Sequence, residues 1–209
     1  MERILVIGAN GQIGSELTEA LAEIHGTENV IAADIGPRSL AGAERYETLD
    51  VLDNARLKQC IDGHGITQVF HLAALLSVTG EQAPLRAWTL NMNGLLNILE
   101  IARERTAAGQ PLRVFWPSSI AAFGPHTPAV DTPQLTVMDP TTIYGISKLA
   151  GERLCEYYFA RYDVDVRSIR YPGIISYKSP PGGGTTDYAI AIFHAACRNE
   201  TYHCYLGPE

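Results

Sequence analysis

Near the amino terminus, Arg3-Ile4-Leu5-Val6-Ile7 runs directly into Gly8-Ala9-Asn10-Gly11-Gln12-Ile13-Gly14. The apolar run is short and rich in β-branched residues, which predicts a buried strand rather than a helix. Ser15 to Ile24 then follows with helical periodicity. A strand that passes through glycines into a helix start builds a diphosphate site. Gly8 permits a tight turn, Gly11 lets the backbone approach phosphates, and Gly14 lets the helix pack close to the strand. Val30-Ile31-Ala32-Ala33-Asp34 reads as a second strand. It ends in an acid ~20 residues past the last glycine, where a carboxylate accepts hydrogen bonds from adenosine ribose hydroxyls. The same charge repels a 2′-phosphate, so NAD is favoured over NADP.

At 209 residues the chain has room for one sizeable core and a small second lobe. A net charge of −7, with its basic residues scattered, argues against a nucleic-acid or anionic-membrane partner. Cys60, Cys155, Cys197 and Cys204 form neither a C-x-x-C pair nor a zinc spacing, so buried, reduced thiols and no metal site are expected. The first strand begins almost at once, leaving no room for a signal peptide, and no apolar run approaches membrane-spanning length. A cytoplasmic protein is the expectation.

Along the chain, Gly36-Pro37-Arg38 marks a turn, and Glu44 to Val51 suits a third strand. Asp50 and Val51 at its end either bracket an adenine ring, or Asp50 caps the helix Asn54–Ile61. Gln68 to His71 suits a fourth strand, with Leu72, Ala73 and Ala74 at its exit. The small residues there suit close passage of a cofactor ribose. Ser77 lies in the loop beyond, at the mouth of the expected cleft. Pro84 opens one long helix through Asn91 and Asn97 to about Arg105, and asparagines in so apolar a helix suggest polar work. Leu112 to Trp116 is a fifth strand ending at Pro117-Ser118-Ser119, where ligands of a doubly wound sheet sit. Asp165 to Arg170 is a sixth, and Tyr171-Pro172-Gly173-Ile174-Ile175 leaves it as an apolar turn fit to lie against a nicotinamide ring.

Tyr144-Gly145-Ile146-Ser147-Lys148 opens an amphipathic helix through Arg161. A tyrosine four residues before a lysine shares its helix face, and a nearby ammonium lowers a phenol toward neutrality. Tyr144 is thus a candidate general base for an alcohol, with Lys148 also reaching the cofactor ribose. Further on, Gly182-Gly183-Gly184-Thr185-Thr186-Asp187 precedes the helix Tyr188–Arg198. Its backbone N–H groups suit a substrate carboxylate or phosphate; alternatively it is a linker whose Thr186 or Asp187 caps the helix.

The set Gly8, Gly11 and Gly14, Asp34, Asp50-Val51, Ser118-Ser119, Tyr144 with Lys148, and Arg170-Tyr171-Pro172-Gly173 resembles the extended short-chain dehydrogenases/reductases. The likeness covers essentially the whole chain; Ile7 departs from the threonine often found there. Within the group, Phe115 to Ala121, Arg170 to Ile175 and above all Pro181 to Ala189 resemble the short-chain type of L-threonine 3-dehydrogenase. The resemblance implies an α/β Rossmann fold, a doubly wound parallel sheet, with residues 1–175 binding NAD and residues 176–209 starting a substrate lobe. Family members continue well beyond Glu209, so that lobe is expected to be incomplete. It implies oxidation of the L-threonine C3 hydroxyl to 2-amino-3-oxobutyrate. Ser119, Tyr144 and Lys148 would be catalytic, with Asn91 in a supporting proton relay. Gly8, Asn10, Gly11, Gln12, Ile13, Gly14, Asp34, Asp50, Val51, Leu72, Ala73, Ala74, Asn91, Tyr144, Lys148, Tyr171, Pro172 and Ile174 would hold NAD. Ser77, Ser119, Tyr144, Gly184, Thr185 and Thr186 would hold the amino acid. A homodimer is expected, because the helices around Asn91 and Tyr144 commonly pair across a two-fold axis in similar proteins. Two alternatives remain. A UDP-sugar 4-epimerase or dehydratase would share Tyr144 and Lys148, but would want cations after residue 174, where only Lys178 and Arg198 stand. A non-catalytic NAD-binding sensor would have lost the tyrosine–lysine pair.

Overall fold

The computed structural model describes residues 2–37, 44–176 and 186–204. Arg38, Lys178, Gly184 and Thr185 lie outside them. Six parallel strands form the sheet: β1 (Ile4–Ile7), β2 (Val30–Asp34), β3 (Arg45–Thr48), β4 (Gln68–His71), β5 (Arg113–Phe115) and a later strand at Val166–Arg167. Their order in space is β3-β2-β1-β4-β5 and then the later strand, so the chain winds outward from β1 in both directions. The order reverses beside β1, and the crevice beyond the strand ends there is where such sheets take ligands.

The sheet is covered on both faces, and strand alternation explains how. Ile4 and Val6 pack toward α1 (Gln12–His25) with Leu21 and Ala22. Leu5 and Ile7 belong to the opposite core, built with α2 (Asn54–Gly63) and the helices further along. Both sets are fully shielded from water, and successive strand residues point to opposite faces. α2 is capped by Asp53, whose Oδ1 accepts the Arg56 N–H at 3.0 Å. The cap is therefore not Asp50, which instead turns its own loop by accepting the Leu52 N–H at 2.9 Å.

The single long helix expected from Pro84 is divided. After a short α3 (Ser77–Gln82), α4 (Pro84–Trp88) passes through a π-helical turn at Thr89–Asn93 into α5 (Gly94–Ala107). Asn91 is buried in that turn; its Oδ1 accepts the Leu75 N–H at 2.9 Å and its amide donates to the Leu75 carbonyl at 3.1 Å. Asn97 donates to the Val51 carbonyl at 2.9 Å. The polar work of both asparagines is to hold loops that leave strands.

The sixth strand is also divided. Ser118–Ser119 forms β6, the edge residues Val166–Arg167 form β7, and Arg170–Tyr171 form β8, which pairs with β6 in a separate parallel ladder. Between them runs α6 (Ile143–Tyr162), started by Thr142, whose Oγ1 accepts the Gly145 N–H at 3.0 Å. It stops at Asp163 in the left-handed conformation, φ +56. Its buried residues include Ser147, Lys148 and Glu152 as well as Cys155 and Tyr158. The apolar periodicity expected of this helix is thus diluted, because its inward face carries the site. α7 (Tyr188–Cys197) closes the described chain. Cys60 and Cys155 are buried as expected, whereas Cys197 and Cys204 are exposed. No helix among the described residues is long and apolar enough to cross a membrane.

Candidate active site

Beyond the carboxyl ends of β1, β4, β6 and β8 lies a cleft of about 800 Å³, within the range of small-molecule sites. Its floor is the glycine loop. Gly8 has φ +86, a conformation that favours glycine, and a side chain there would also strike the Ala73 backbone nitrogen at 2.7 Å. A Cβ on Gly14 would lie 2.1 Å from the Gly8 carbonyl oxygen, so α1 can start this close to the loop only with glycine at that position. Gly11 differs: a Cβ there meets only the Gly8 oxygen, at 3.2 Å, and otherwise points into the cleft that Gly11 lines. No side chain among the described residues caps α1. Its first N–H groups and the positive end of its dipole therefore face the cleft, as a diphosphate requires.

Asp34 stands beside this loop, its Oδ2 accepting the Asn10 N–H at 3.0 Å. A carboxylate offers about four acceptor positions, so this bond leaves capacity for ribose hydroxyls. Asn10 is tied further by its amide to Tyr46 Oη at 3.0 Å. Asp34, Asp50, Val51, Ala73 and Asn91 do not themselves line the cleft. Val51 is 2 % exposed and belongs to the core, where a Cβ on Gly94 would touch its Cγ1 at 2.9 Å. Its Cγ1 faces Gly94 of α5. Gln12 crosses the cleft, its amide donating to the Ile174 carbonyl at 3.1 Å. Ser176 is likewise tied to Glu16 of α1 at 2.6 Å. These two bonds hold the segment after β8 against the glycine loop, a link that local sequence patterns do not reveal.

At the other end of the groove, Ser119, Tyr144 and Lys148 line one wall. Ser119 Oγ accepts the Ala121 N–H at 3.1 Å, so it caps a short 3₁₀ turn while facing the cleft. Lys148 is 3 % exposed. Its Nζ donates to the Pro117 carbonyl at 2.6 Å and lies 4.5 Å from the Trp116 ring centre, but 5.4 Å from that of Tyr144. Burial lowers the Lys148 amine to about 7. Burial also pushes the Tyr144 phenol above its ordinary value, against the opposing hydrogen bond of Ser119. The expected lowering of Tyr144 by Lys148 is therefore not found in this state. The amine is itself largely desolvated and spends its hydrogen bond on Pro117. Ser77, Thr186 and Asp187 also line the cleft. The sequence suggests Asp187 as a possible cap of α7, yet that helix has no side-chain cap among the described residues.

The family model described as the NAD dependent epimerase/dehydratase family matches residues 4–202. The chain belongs to that family. Members of the NAD dependent epimerase/dehydratase family use the cofactor that the open Gly11 cradle, the uncapped α1 and the Asp34 carboxylate fit. An uncharacterized epimerase/dehydratase of Staphylococcus saprophyticus is 47 % identical over 212 residues, covering 100 % of this chain and 65 % of the relative. Among solved structures, a GalE-like L-threonine dehydrogenase from Cupriavidus necator in its holo form is 60 % identical, with a TM-score of 0.92. That match covers 98 % of this chain and 65 % of the other. An L-threonine dehydrogenase from Clostridium difficile is 46 % identical at a TM-score of 0.91, covering 99 % and 64 %. The chain thus spans just under two thirds of the length of the proteins it matches.

Proposed function

We propose that this chain carries the NAD-binding half, residues 1–175, and the beginning of the substrate lobe, residues 176–209, of an L-threonine 3-dehydrogenase. The observation that carries this is the polar make-up of the cleft. Among its described lining residues Lys148 is the one cation and Asp187 the one acid, while Ser77, Ser119 and Thr186 add hydroxyls. Such a rim suits a small zwitterion: the hydroxyls meet its carboxylate, and Asp187 meets its ammonium. A sugar-nucleotide diphosphate calls for cations, and Arg198 is exposed and paired with Glu200 at 2.9 Å instead. The two L-threonine dehydrogenases of similar structure support the same substrate.

Bound NAD supplies the two-electron acceptor for the C3–H bond. Tyr144 takes the proton of the C3 hydroxyl, and Ser119 donates a hydrogen bond to the same oxygen as it becomes a carbonyl. Lys148 stands behind Tyr144 as the charge that eases loss of the phenol proton, a role that grows as polar oxygens in the groove raise its amine again. Asn91 supports the site from behind by fixing Leu75 and reaching Ser147 Oγ at 3.4 Å. We also propose a homodimer through α4 and α6, where Leu85, Trp88 and Ile146 are exposed; light scattering of the full-length protein tests it.

The functional test is NADH formation by the full-length gene product with L-threonine, L-serine, 3-hydroxybutyrate or UDP-glucose. Turnover on L-threonine that falls by about 10²–10⁴-fold in Tyr144→Phe is expected. Consumption of UDP-glucose, with L-threonine inert, would replace the dehydrogenase with an epimerase.

A further inference from the structure

We propose that Glu152 is a positioning residue: with Arg170 and Ser118 it forms a buried clamp that sets where Ser119, Tyr144, Lys148 and Tyr171 stand relative to one another. This rests on the dehydrogenase assigned above.

Tyr144, Lys148 and Glu152 follow one another at four-residue steps along α6, so they share one stripe of the helix. The first two line the cleft; Glu152 lies one turn further on, 8 % exposed. Three donors converge on its carboxylate. Ser118 Oγ donates to Oε1 at 2.6 Å, Arg170 Nε to Oε1 at 2.8 Å, and Arg170 Nη2 to Oε2 at 2.8 Å.

Both donor residues are chain neighbours of cleft residues. Ser118 precedes Ser119 in β6, and Arg170 precedes Tyr171 in β8. In the ladder Ser118 pairs with Arg170 and Ser119 with Tyr171. Alternation along each strand thus sends the Ser118 and Arg170 side chains toward Glu152 and the other pair toward the cleft, which Ser118 also borders. A ladder two residues long is weak by itself. The forked carboxylate–guanidinium contact, whose geometry is directional, fastens that ladder to the catalytic helix.

Arg170 is held from its far side as well. It donates to the Gln134 carbonyl at 3.3 Å, lies 3.2 Å from Met138 Sδ, and stacks 5.1 Å over the Phe123 ring centre. Burial pushes the Glu152 carboxyl up, but the hydrogen bonds of Arg170 and Ser118 and the Arg170 charge outweigh it and hold the group below its ordinary value. A buried ion pair is a poor source of net stability compared with apolar packing. Its use here is geometric, since three convergent donors leave the carboxylate a single position.

Glu152→Gln preserves volume and the bonds to Oε1 but loses the second tine of the fork, because an amide nitrogen cannot accept it. The full-length variant should still bind NAD, with an affinity lowered by no more than about tenfold, since the glycine loop that takes the diphosphate precedes α1 and only Tyr144, Lys148 and Tyr171 on the cofactor's far side shift with the clamp. Its kcat on L-threonine should fall by about 10–10²-fold, the scale of a small misplacement of reacting groups. The double variant Glu152→Gln/Arg170→Gln removes both charges. Its melting temperature should recover toward wild type while kcat stays low.

A readout that needs no substrate is titration of ¹³Cζ-labelled tyrosine by NMR, with the Tyr144 signal assigned from Tyr144→Phe. The Tyr144 phenol should titrate higher in Glu152→Gln as its Ser119 hydrogen bond loosens. Wild-type kcat in the single variant, recovery of kcat together with melting temperature in the double, or an unmoved Tyr144 phenol would each overturn the clamp. A wild type inert toward L-threonine whose Tyr144 still responds to Glu152→Gln would remove the substrate assignment and leave the clamp standing.

Discussion

Gly14→Ala puts the glycine loop to the most direct test. The new methyl carbon would sit 2.1 Å from the Gly8 oxygen, 2.8 Å from Ala9 Cα and 2.9 Å from the Gly8 carbonyl carbon. All three are backbone atoms of the turn, so no change of rotamer relieves the contact. Restoring van der Waals separation requires the start of α1 to retreat by about 1 Å. Overpacking of this kind costs about 2–3 kcal/mol, which the better helix propensity of alanine, about 1 kcal/mol, offsets only in part. For a chain of this size each kcal/mol moves the melting temperature by about 2–4 °C, so a net fall of about 2–8 °C is expected. The same retreat draws the α1 N–H groups away from a diphosphate. Losing one charge-assisted hydrogen bond, about 1.5–3 kcal/mol, weakens NAD binding by roughly 10–10²-fold. Gly63→Ala is the control. It ends α2 with nothing within 4 Å of the new carbon, so it should leave stability unchanged or raise it by about 0.5–1 kcal/mol. Thermal unfolding and calorimetric titration with NAD measure both variants. A Gly14→Ala protein with wild-type melting temperature and wild-type NAD affinity would refute the steric account of the loop.

The state of Lys148 should be visible in stability. Burial lowers its amine to about 7, so above that pH the unfolded chain holds a proton the folded protein has released, and stability rises with pH. Denaturant melts between pH 7 and about 8.5, below the ordinary thiol range, should show this slope in the wild type and lack it in Lys148→Met. His71 acts on the acid side: it is fully buried, both ring nitrogens lack a partner among the described residues, and burial lowers it from 6.5 to about 3. Stability should therefore fall as pH drops below 6.5, because only the unfolded imidazole takes up a proton there, and His71→Leu should flatten that limb in acid titrations. Asp34→Asn removes the charge that faces a 2′-phosphate; binding titrations should show the NAD-over-NADP preference shrinking by about tenfold.

Several elements could be seen in the sequence because their causes are local. Strand, glycines and helix start follow from residues 4–24 alone, as hydrophobic period and the missing Cβ atoms are properties of adjacent positions. The shared face of Tyr144 and Lys148 is equally local, four residues being about one helical turn. The alternation of strands with helices points to parallel crossovers, whereas the order β3-β2-β1-β4-β5 is set only in the tertiary structure. Tertiary structure decided the rest. The third strand, expected to run to Val51, stops at Thr48, and Val51 packs in the core beside Gly94 of α5. Asn91 stands out in the sequence as a polar residue in an apolar helix, but its partner Leu75 lies in a loop that periodicity does not place. The depressed Lys148 amine and the raised Tyr144 phenol depend on how completely Trp116, Pro117 and their neighbours exclude water, a quantity set by packing. Glu152 stands one turn beyond Lys148 on α6, and nothing in its local sequence marks it. Only the pairing of two short strands delivers Ser118 and Arg170 to it, from 34 and 18 residues away. Local spacing determines which side chains share an element; the order of strands determines which elements meet, and with it the solvation and charge of the groups between them.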